Sequence, residues 1–340
     1  MLSLIRFLIL SIFMVGAIAS CQSQTNNETF TSNQTDCRTI EHEAGETEVC
    51  SQPQRIVVLG PYVLEPLLTL GVQPVAYGDH VAFHQGEYDN PKAQIPYLGE
   101  MINQPIANVG IAYEPSIEAI AKVQPDLIIG LEANTKQYDI LSQIAPTILL
   151  EYANPQKSLK AIALAVDRTS KVKELLAEIE QRIAEAREAF KPVVADHPQL
   201  LLLYSEQLEQ LIPSTPNEMC HSLPEELGFK MVSLPESKIP KPNSPSIPIS
   251  IEKLPELNDA DSVIVLGYNF DKQQDFNQFN NNQTSKIKQA WKDNAITQSL
   301  DASKAGQIYF IPSYLCLGLP GAIGTELYLE ELEQQLLPPE

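Results

Sequence analysis

Short apolar runs and amphipathic stretches take turns along most of this chain. RIVVLG (55–60) is a β-branched run ended by Gly60 and Pro61, the pattern of a strand covered on both faces. VLEPLLTLG (63–71) follows at helical spacing and stops at Gly71. PVAYG (74–78) predicts a second strand, which runs into a long polar and aromatic loop. PSIEAIAKV (115–123) predicts a helix with Pro115 in its first turn, and PDLIIG (125–130) the next buried strand. TKQYDILSQI (135–144) and PTILLEY (146–152) continue as helix and strand. This alternation is that of an α/β lobe with a mainly parallel sheet.

The pattern then changes. Val172, Leu175, Leu176, Ile179, Ile183, Ala186 and Phe190 recur at three- and four-residue steps between charged residues, predicting one amphipathic helix over 158–190. Unbroken, it is about 50 Å long and bridges two lobes; a break near Arg168-Thr169-Ser170 is the alternative. The second half repeats the first in outline: LLLLYS (200–205) and DSVIVLG (261–267) read as strands. LPEELGFKMVSL (223–234) reads as a helix and a strand, and SIEKLPEL (250–257) as a helix. SIEAIAKVQPDLIIG and SIEKLPELNDADSVIVLG share Ser-Ile-Glu and an Asp before a β run, and LTLGVQPV (68–75) parallels EELGFKMV (225–232). Such self-similarity indicates one supersecondary unit used twice. QIYFIPSYLCLGLPGAIG (307–324) predicts a strand and a loop, and TELYLEELEQQLL a closing helix. The Pro/Ser-rich 235–248 and Asn/Gln-rich 271–285 carry no packing periodicity and read as loops.

Composition adds the compartment. Residues 1–20 hold one positive charge and an apolar run too short for a membrane span, an export signal. Ile18, Ala19 and Ser20 before Cys21 resemble a bacterial lipobox, which makes Cys21 the expected lipidated amino terminus. The polar residues after it, up to 36, read as a tether. About three hundred residues remain, enough for two domains. Net charge is −20 with no basic run in either half, which argues against a nucleic-acid partner. In an oxidising space Cys37 and Cys50 suit a bridge closing the hairpin around Ala44-Gly45, while Cys220 and Cys316 either pair or stay as buried thiols.

Signal, lipobox, tether, the R-I-V strand, PSIEAIAKVQPDLIIG, the joining helix and SIEKLPELNDADSVIVLG together resemble the Fe-siderophore/cobalamin family of periplasmic binding proteins over about residues 50 to 337. The resemblance implies the class III architecture: two Rossmann-like α/β lobes with mainly parallel sheets, joined by one long rigid helix, with ligand in the cleft. The expected organisation is signal (1–20), tether (21–36), first lobe (37–157), joining helix (158–190) and second lobe (191–340). It implies a monomeric, extracytoplasmic lipoprotein, held to the cell membrane by its lipid, that carries an iron-siderophore to an ABC permease and its ATPase. Cobalamin, haem and ferric citrate are the alternative cargoes. Glu118 and Glu252 match the family's exposed permease-docking carboxylates, one per lobe. A first-turn Glu is also favourable against the helix dipole; their matching repeat positions are what point to docking.

Ligands of open α/β sheets bind beyond the carboxyl ends of the strands. Tyrosine falls in six of the eight expected loops there, Tyr62, Tyr113, Tyr152, Tyr204, Tyr268 and Tyr314, with His80 and Lys136 as further candidates. Broad rings with a hydrogen-bonding tip suit a bulky chelate whose metal is already wrapped. No Arg follows Arg187, so a near-neutral hydroxamate or mixed siderophore is preferred over a strongly anionic one. Direct zinc or manganese binding has only His80 and His84 with Asp79 and Glu87 as ligands. No metal site and no cofactor are expected. Nor is an enzyme: nucleophile-elbow, phosphate-loop and H-E-x-x-H motifs are missing, and the glycines of GLPGAIG (318–324) do not have dinucleotide spacing.

Overall fold

The computed structural model describes residues 36–81, 83–216, 218–233, 247–269 and 279–338. The expected signal, Cys21 and the tether up to residue 35 lie outside the described residues, as do most of the Pro/Ser-rich stretch and positions 271–278 of the Asn/Gln-rich one. Among the described residues no helix is long and apolar enough to cross a membrane.

The chain opens with the hairpin β1 (Cys37–His42) and β2 (Gly45–Cys50), closed by the Cys37–Cys50 disulfide. It sits beside the edge of the first large sheet, where Glu43 N–H donates to the Leu149 carbonyl. That sheet holds β3 (Ile56–Leu59), β4 (Ala76–Asp79), β5 (Ala107–Ile111), β6 (Glu114–Pro115), β7 (Leu127–Leu131) and β8 (Thr147–Leu150), in the order β6-β5-β4-β3-β7-β8. All pairs are parallel except β5 with β6. β3, β7 and β8 are buried along their whole length, because helices cover both faces.

The second sheet comprises β9 (Gln199–Ser205), β10 (Ile212–Pro213), β11 (Lys230–Val232), β12 (Ser262–Gly267) and β13 (Ile308–Pro312). β9 lies between β11 and β12, and β12 next to β13, all parallel, while β10 runs antiparallel to β9. The run β11-β9-β12-β13 therefore reproduces β4-β3-β7-β8. The shared Asp of the two repeats has the same task in each. Asp126 accepts from the N–H groups of Gln54 and Arg55 at the start of β3, and Asp261 from that of Gln199 at the start of β9.

Several expected elements differ in detail. The 158–190 helix is two helices, α3 (Pro155–Ala165) and α4 (Thr169–Asp196), with α1 (Pro61–Thr69) and α2 (Ile117–Lys122) preceding them. Asp167 takes a left-handed conformation (φ 56°), and the Arg168 N–H turns back to the Ala163 carbonyl at 2.7 Å, which terminates α3. The break lets Ile162, Ala163, Ala165 and Val166 bury in the first lobe while α4 alone, about 42 Å long, runs on. α2 begins after Pro115, which belongs to β6; Ser116 caps it by accepting from the Ala119 N–H. Residues Ile251–Leu257 form a 3-10 helix rather than an α-helix, since Pro255 has no N–H to offer and its ring crowds the carbonyl four residues back. Tyr138–Ser142 is helical but is entered by a 3-10 turn, Glu132–Gln137.

After α5 (Met219–Glu226), the Asn/Gln-rich region yields α6 (Phe279–Asp293), where a loop is expected up to 285. Phe279, Gln283, Ile287 and Trp291 form its buried face at four-residue spacing. The Gln in that face conceals the pattern; it is satisfied by two hydrogen bonds with the backbone of Asn269. α7 (Ala322–Leu336) closes the chain and is tied to α4 by Arg182, which bonds Glu326 and Glu333. A second disulfide joins Cys220 of α5 to Cys316, in the π-type turn Tyr314–Gly318 after β13.

Candidate functional site

The carboxyl ends of both sheets contribute aromatic rings to one cluster. Tyr62, at the second position of α1, places its hydroxyl 3.3 Å from that of Tyr113 and its ring edge-on to Tyr152, centroids 4.8 Å apart. His80, directly after β4, meets Tyr62 at 6.2 Å and, across the cleft, Tyr314 at 5.4 Å. Tyr314 stacks on Tyr97 of the first lobe at 5.6 Å and meets Phe279 of the second at 5.2 Å. Phe83 adds edge contacts to His80 and Phe279. Tyr152 carries a direct bond between the lobes, its hydroxyl donating to the Leu317 carbonyl at 2.9 Å.

The structure thus brings Tyr62, His80, Tyr113, Tyr152 and Tyr314 together. Tyr113 is the exposed member, at the rim. Lys136 is also exposed, in the Glu132–Gln137 turn, which Asn134 and Gln137 fasten to the Tyr113 loop through the carbonyls of Ala112 and Tyr113. Tyr204 lies in the second-lobe core, where Glu218, Tyr328 and Tyr152 act on it electrostatically. Tyr268, at the end of β12, is half-buried near Glu206. Tyr97, Phe83, Phe279 and Asn134 fall outside the candidates that the sequence pattern marks. The first two sit in the loop whose aromatic content was the available signal; Phe279 falls in a stretch without visible periodicity.

Burial pushes the phenols of Tyr62, Tyr97, Tyr152, Tyr204 and Tyr314 upward, and for Tyr314 the Asp79 carboxylate adds to the effect. At neutral pH these are uncharged rings with polar tips. His80 Nδ1 lies 2.8 Å from Asp79 Oδ1, while His84 Nε2 donates to the Glu87 carbonyl, so the two imidazoles do not converge on one point. Among the described residues, the grouped potential metal ligands are Cys37, Glu48 and Cys50, and both sulfurs are spent in a disulfide.

Every described arginine is engaged away from the cluster. Arg38 bonds the Ala165 carbonyl, Arg55 the Val123 and Gln124 carbonyls, Arg168 the Asp167 carbonyl, Arg182 two carboxylates of α7, and Arg187 the Glu226 carbonyl. Behind the rings, a cavity of about 500 Å³ shares Tyr62 and Tyr152 with the cluster and is walled by Leu175, Leu176 and Ile179 of α4. The cluster therefore offers flat apolar area and hydroxyl tips, with little fixed positive charge.

Glu118 and Glu252 both lie exposed in the first turn of their helices, the second a 3-10 helix. Each follows the Ser-Ile pair that begins the repeated unit.

The sequence and the fold both have known counterparts. Residues 56–315 match the family described as "Periplasmic binding protein". The "Probable siderophore-binding lipoprotein YfiY" of Bacillus subtilis is 27% identical, the alignment covering 99% of this chain and 98% of that protein. The "Fe(3+)-citrate-binding protein YfmC" of the same organism is 28% identical over 91% of this chain and 88% of its own length. Among solved structures, Staphylococcus aureus SirA complexed with staphyloferrin B superposes with a TM-score of 0.68 at 22% identity, covering 88% of this chain and 98% of that one.

Proposed function

From the premise that this chain belongs to the periplasmic binding protein family, a family of solute-binding proteins, we propose that it is the substrate-binding lipoprotein of an ABC importer. It takes up a ferric siderophore between its lobes and delivers it to the permease, whose ATPase drives import. Lipidation at Cys21 after removal of residues 1–20 anchors it outside the cytoplasm, with the polar stretch up to residue 36 as tether. The observation that carries the ligand assignment is the ring cluster contributed by both lobes, Tyr62, His80, Tyr97, Tyr152 and Tyr314. A chelate that already saturates its iron presents a broad, partly apolar surface, which neutral rings with hydroxyl tips can cover.

The placement of the arginines favours a near-neutral cargo. A guanidinium fork is the strongest partner for carboxylates and catecholates, and none faces the cluster among the described residues. A ferric hydroxamate or mixed siderophore fits this charge pattern, and Lys136 supplies the cation at the rim. Glu118 and Glu252, one exposed carboxylate per lobe, are the proposed contacts to a two-fold permease.

Calorimetric titration of the purified chain with ferrichrome, ferric enterobactin and ferric citrate tests this reading. Trp291 is buried in the second-lobe core, so tryptophan emission is a poor reporter and calorimetry is preferred. Tight ferrichrome binding is expected, with weaker binding of the two anionic chelates. Tight ferric enterobactin or ferric citrate binding without ferrichrome binding refutes the charge argument.

A further inference from the structure

Glu65 is fully buried on α1, three residues after Tyr62. Its carboxylate accepts the backbone N–H groups of Gly321 at 2.8 Å and Gly324 at 2.9 Å, residues 256 and 259 positions away in sequence. These amides belong to the start of α7, where helical N–H groups have no partner within the helix and negative charge is favourable. They are also the last two glycines of GLPGAIG. A Cβ on Gly321 comes within 3.0 Å of the Glu65 carboxylate, and one on Gly324 within 1.7 Å of the Leu319 carbonyl. Gly321 therefore makes room for a carboxylate from the other lobe, and Gly324 for the close approach of the Leu315 and Leu319 carbonyls.

We propose that Glu65 is a positioning residue of the cleft: by holding the 314–324 segment against α1, it sets the separation at which Tyr62 and Tyr314 close on a ferric siderophore. This deepens the carrier reading and rests on it. Tyr62 lies one helical turn before Glu65, and Tyr314 opens the turn that leads into α7, so the same two hydrogen bonds align a ring from each lobe. The Tyr152 bond to the Leu317 carbonyl reinforces the same segment.

Burial pushes the Glu65 carboxyl up to about 7, against the amides of Gly324, Gly321 and Ile323, which favour its charge. The titratable and charged groups on the packing elements are Tyr62 on α1, Tyr314 before α7, Lys157 and Lys160 on α3, and Glu326, Tyr328, Glu330, Glu331 and Glu333 on α7. Lys157 pairs with Glu43 and Glu151, Glu326 with Arg182, and Lys160 is exposed; Tyr314 interacts electrostatically with Glu65. When the lobes part and water reaches Glu65, its pKa returns to the ordinary carboxylate range. The contact thus binds a proton more tightly than the open form does. It is strongest in mild acid and weakens as pH rises through about 7.

The test uses the full chain, wild type, Glu65→Gln and Glu65→Ala, at about pH 5.5 and pH 8. Amide hydrogen exchange over 318–325, corrected for intrinsic rates, is measured without ligand, and ferrichrome affinity by calorimetry. In the wild type, protection should fall and affinity weaken by about tenfold or more from the lower to the higher pH. Glu65→Gln, always uncharged, should lose that dependence in both measurements, and Glu65→Ala should lose protection at both pH values. If Glu65→Gln keeps the wild-type dependence, or folded Glu65→Ala keeps wild-type protection, the proposal is wrong. Should Glu65→Ala fail to fold, Glu65→Gln decides alone. A wild type that ignores ferrichrome counts against the cargo assignment, while exchange still decides the role of Glu65.

Discussion

Replacing Cys220 and Cys316 together by Ala should destabilise the protein more than the same change at Cys37 and Cys50, and the loop lengths say by how much. The Cys220–Cys316 bridge spans 96 positions and the Cys37–Cys50 bridge 13. A cross-link restricts the unfolded chain in proportion to the logarithm of the loop it closes, which gives about 4.7 kcal/mol for the long loop and about 2.9 for the short one. The gap of about 1.8 kcal/mol is firmer than either value, since errors in the reference state largely cancel. Packing widens it: Cys220 and Cys316 are buried in the second-lobe core, where lost sulfur atoms leave a cavity. The Cys37–Cys50 bridge instead reinforces a hairpin already paired at six positions. Urea unfolding followed by far-ultraviolet circular dichroism, analysed with a common slope, measures both. Since Cys316 lies in the turn that presents Tyr314, ferrichrome affinity should also fall in the long-loop variant and hold in the hairpin variant. Equal destabilisation, or a larger effect at the hairpin, refutes the reasoning.

Two further outcomes are expected. With Glu118 and Glu252 both changed to Ala, ferrichrome binding should be unchanged while uptake by cells carrying the cognate permease is lost; normal uptake rejects the docking assignment. Burial holds the His221 imidazole below its ordinary range, with Nδ1 2.9 Å from Ser214 Oγ. A neutral buried histidine contributes stability that is present above its unfolded pKa of about 6.5 and is lost as pH falls through its lower folded value. His221→Asn should therefore flatten part of the loss of thermal stability between pH 7 and pH 5, and an unchanged slope speaks against it.

Much of this protein is legible along the chain because its determinants are local. Continuous β-branched runs mark strands buried on both faces, and the two Ser-Ile-Glu units with their following Asp announce a repeated fold, since that Asp caps the neighbouring strand in each half. Tyrosines at strand ends are predictable from the rule that ligands sit beyond the carboxyl edge of a sheet. Breaks in the pattern are harder to read. The end of α3 depends on one left-handed Asp167, and the buried face of α6 includes a Gln whose partner is the backbone of Asn269.

Only tertiary structure decides what meets across the lobes. Tyr97, Phe83 and Phe279 come from stretches without periodicity; Tyr97 and Phe279 meet Tyr314, and Phe83 meets Phe279, because elements of both lobes face one another. Glu65 is the clearest case. Within VLEPLLTL it is a charge among apolar residues, with nothing nearby to satisfy it. A buried carboxylate is tolerable only with hydrogen-bond donors, and its donors are amides of GLPGAIG, more than 250 residues further on. Local pattern determined the two lobes and the family; long-range packing determined which rings meet between them and which amides receive the buried carboxylate.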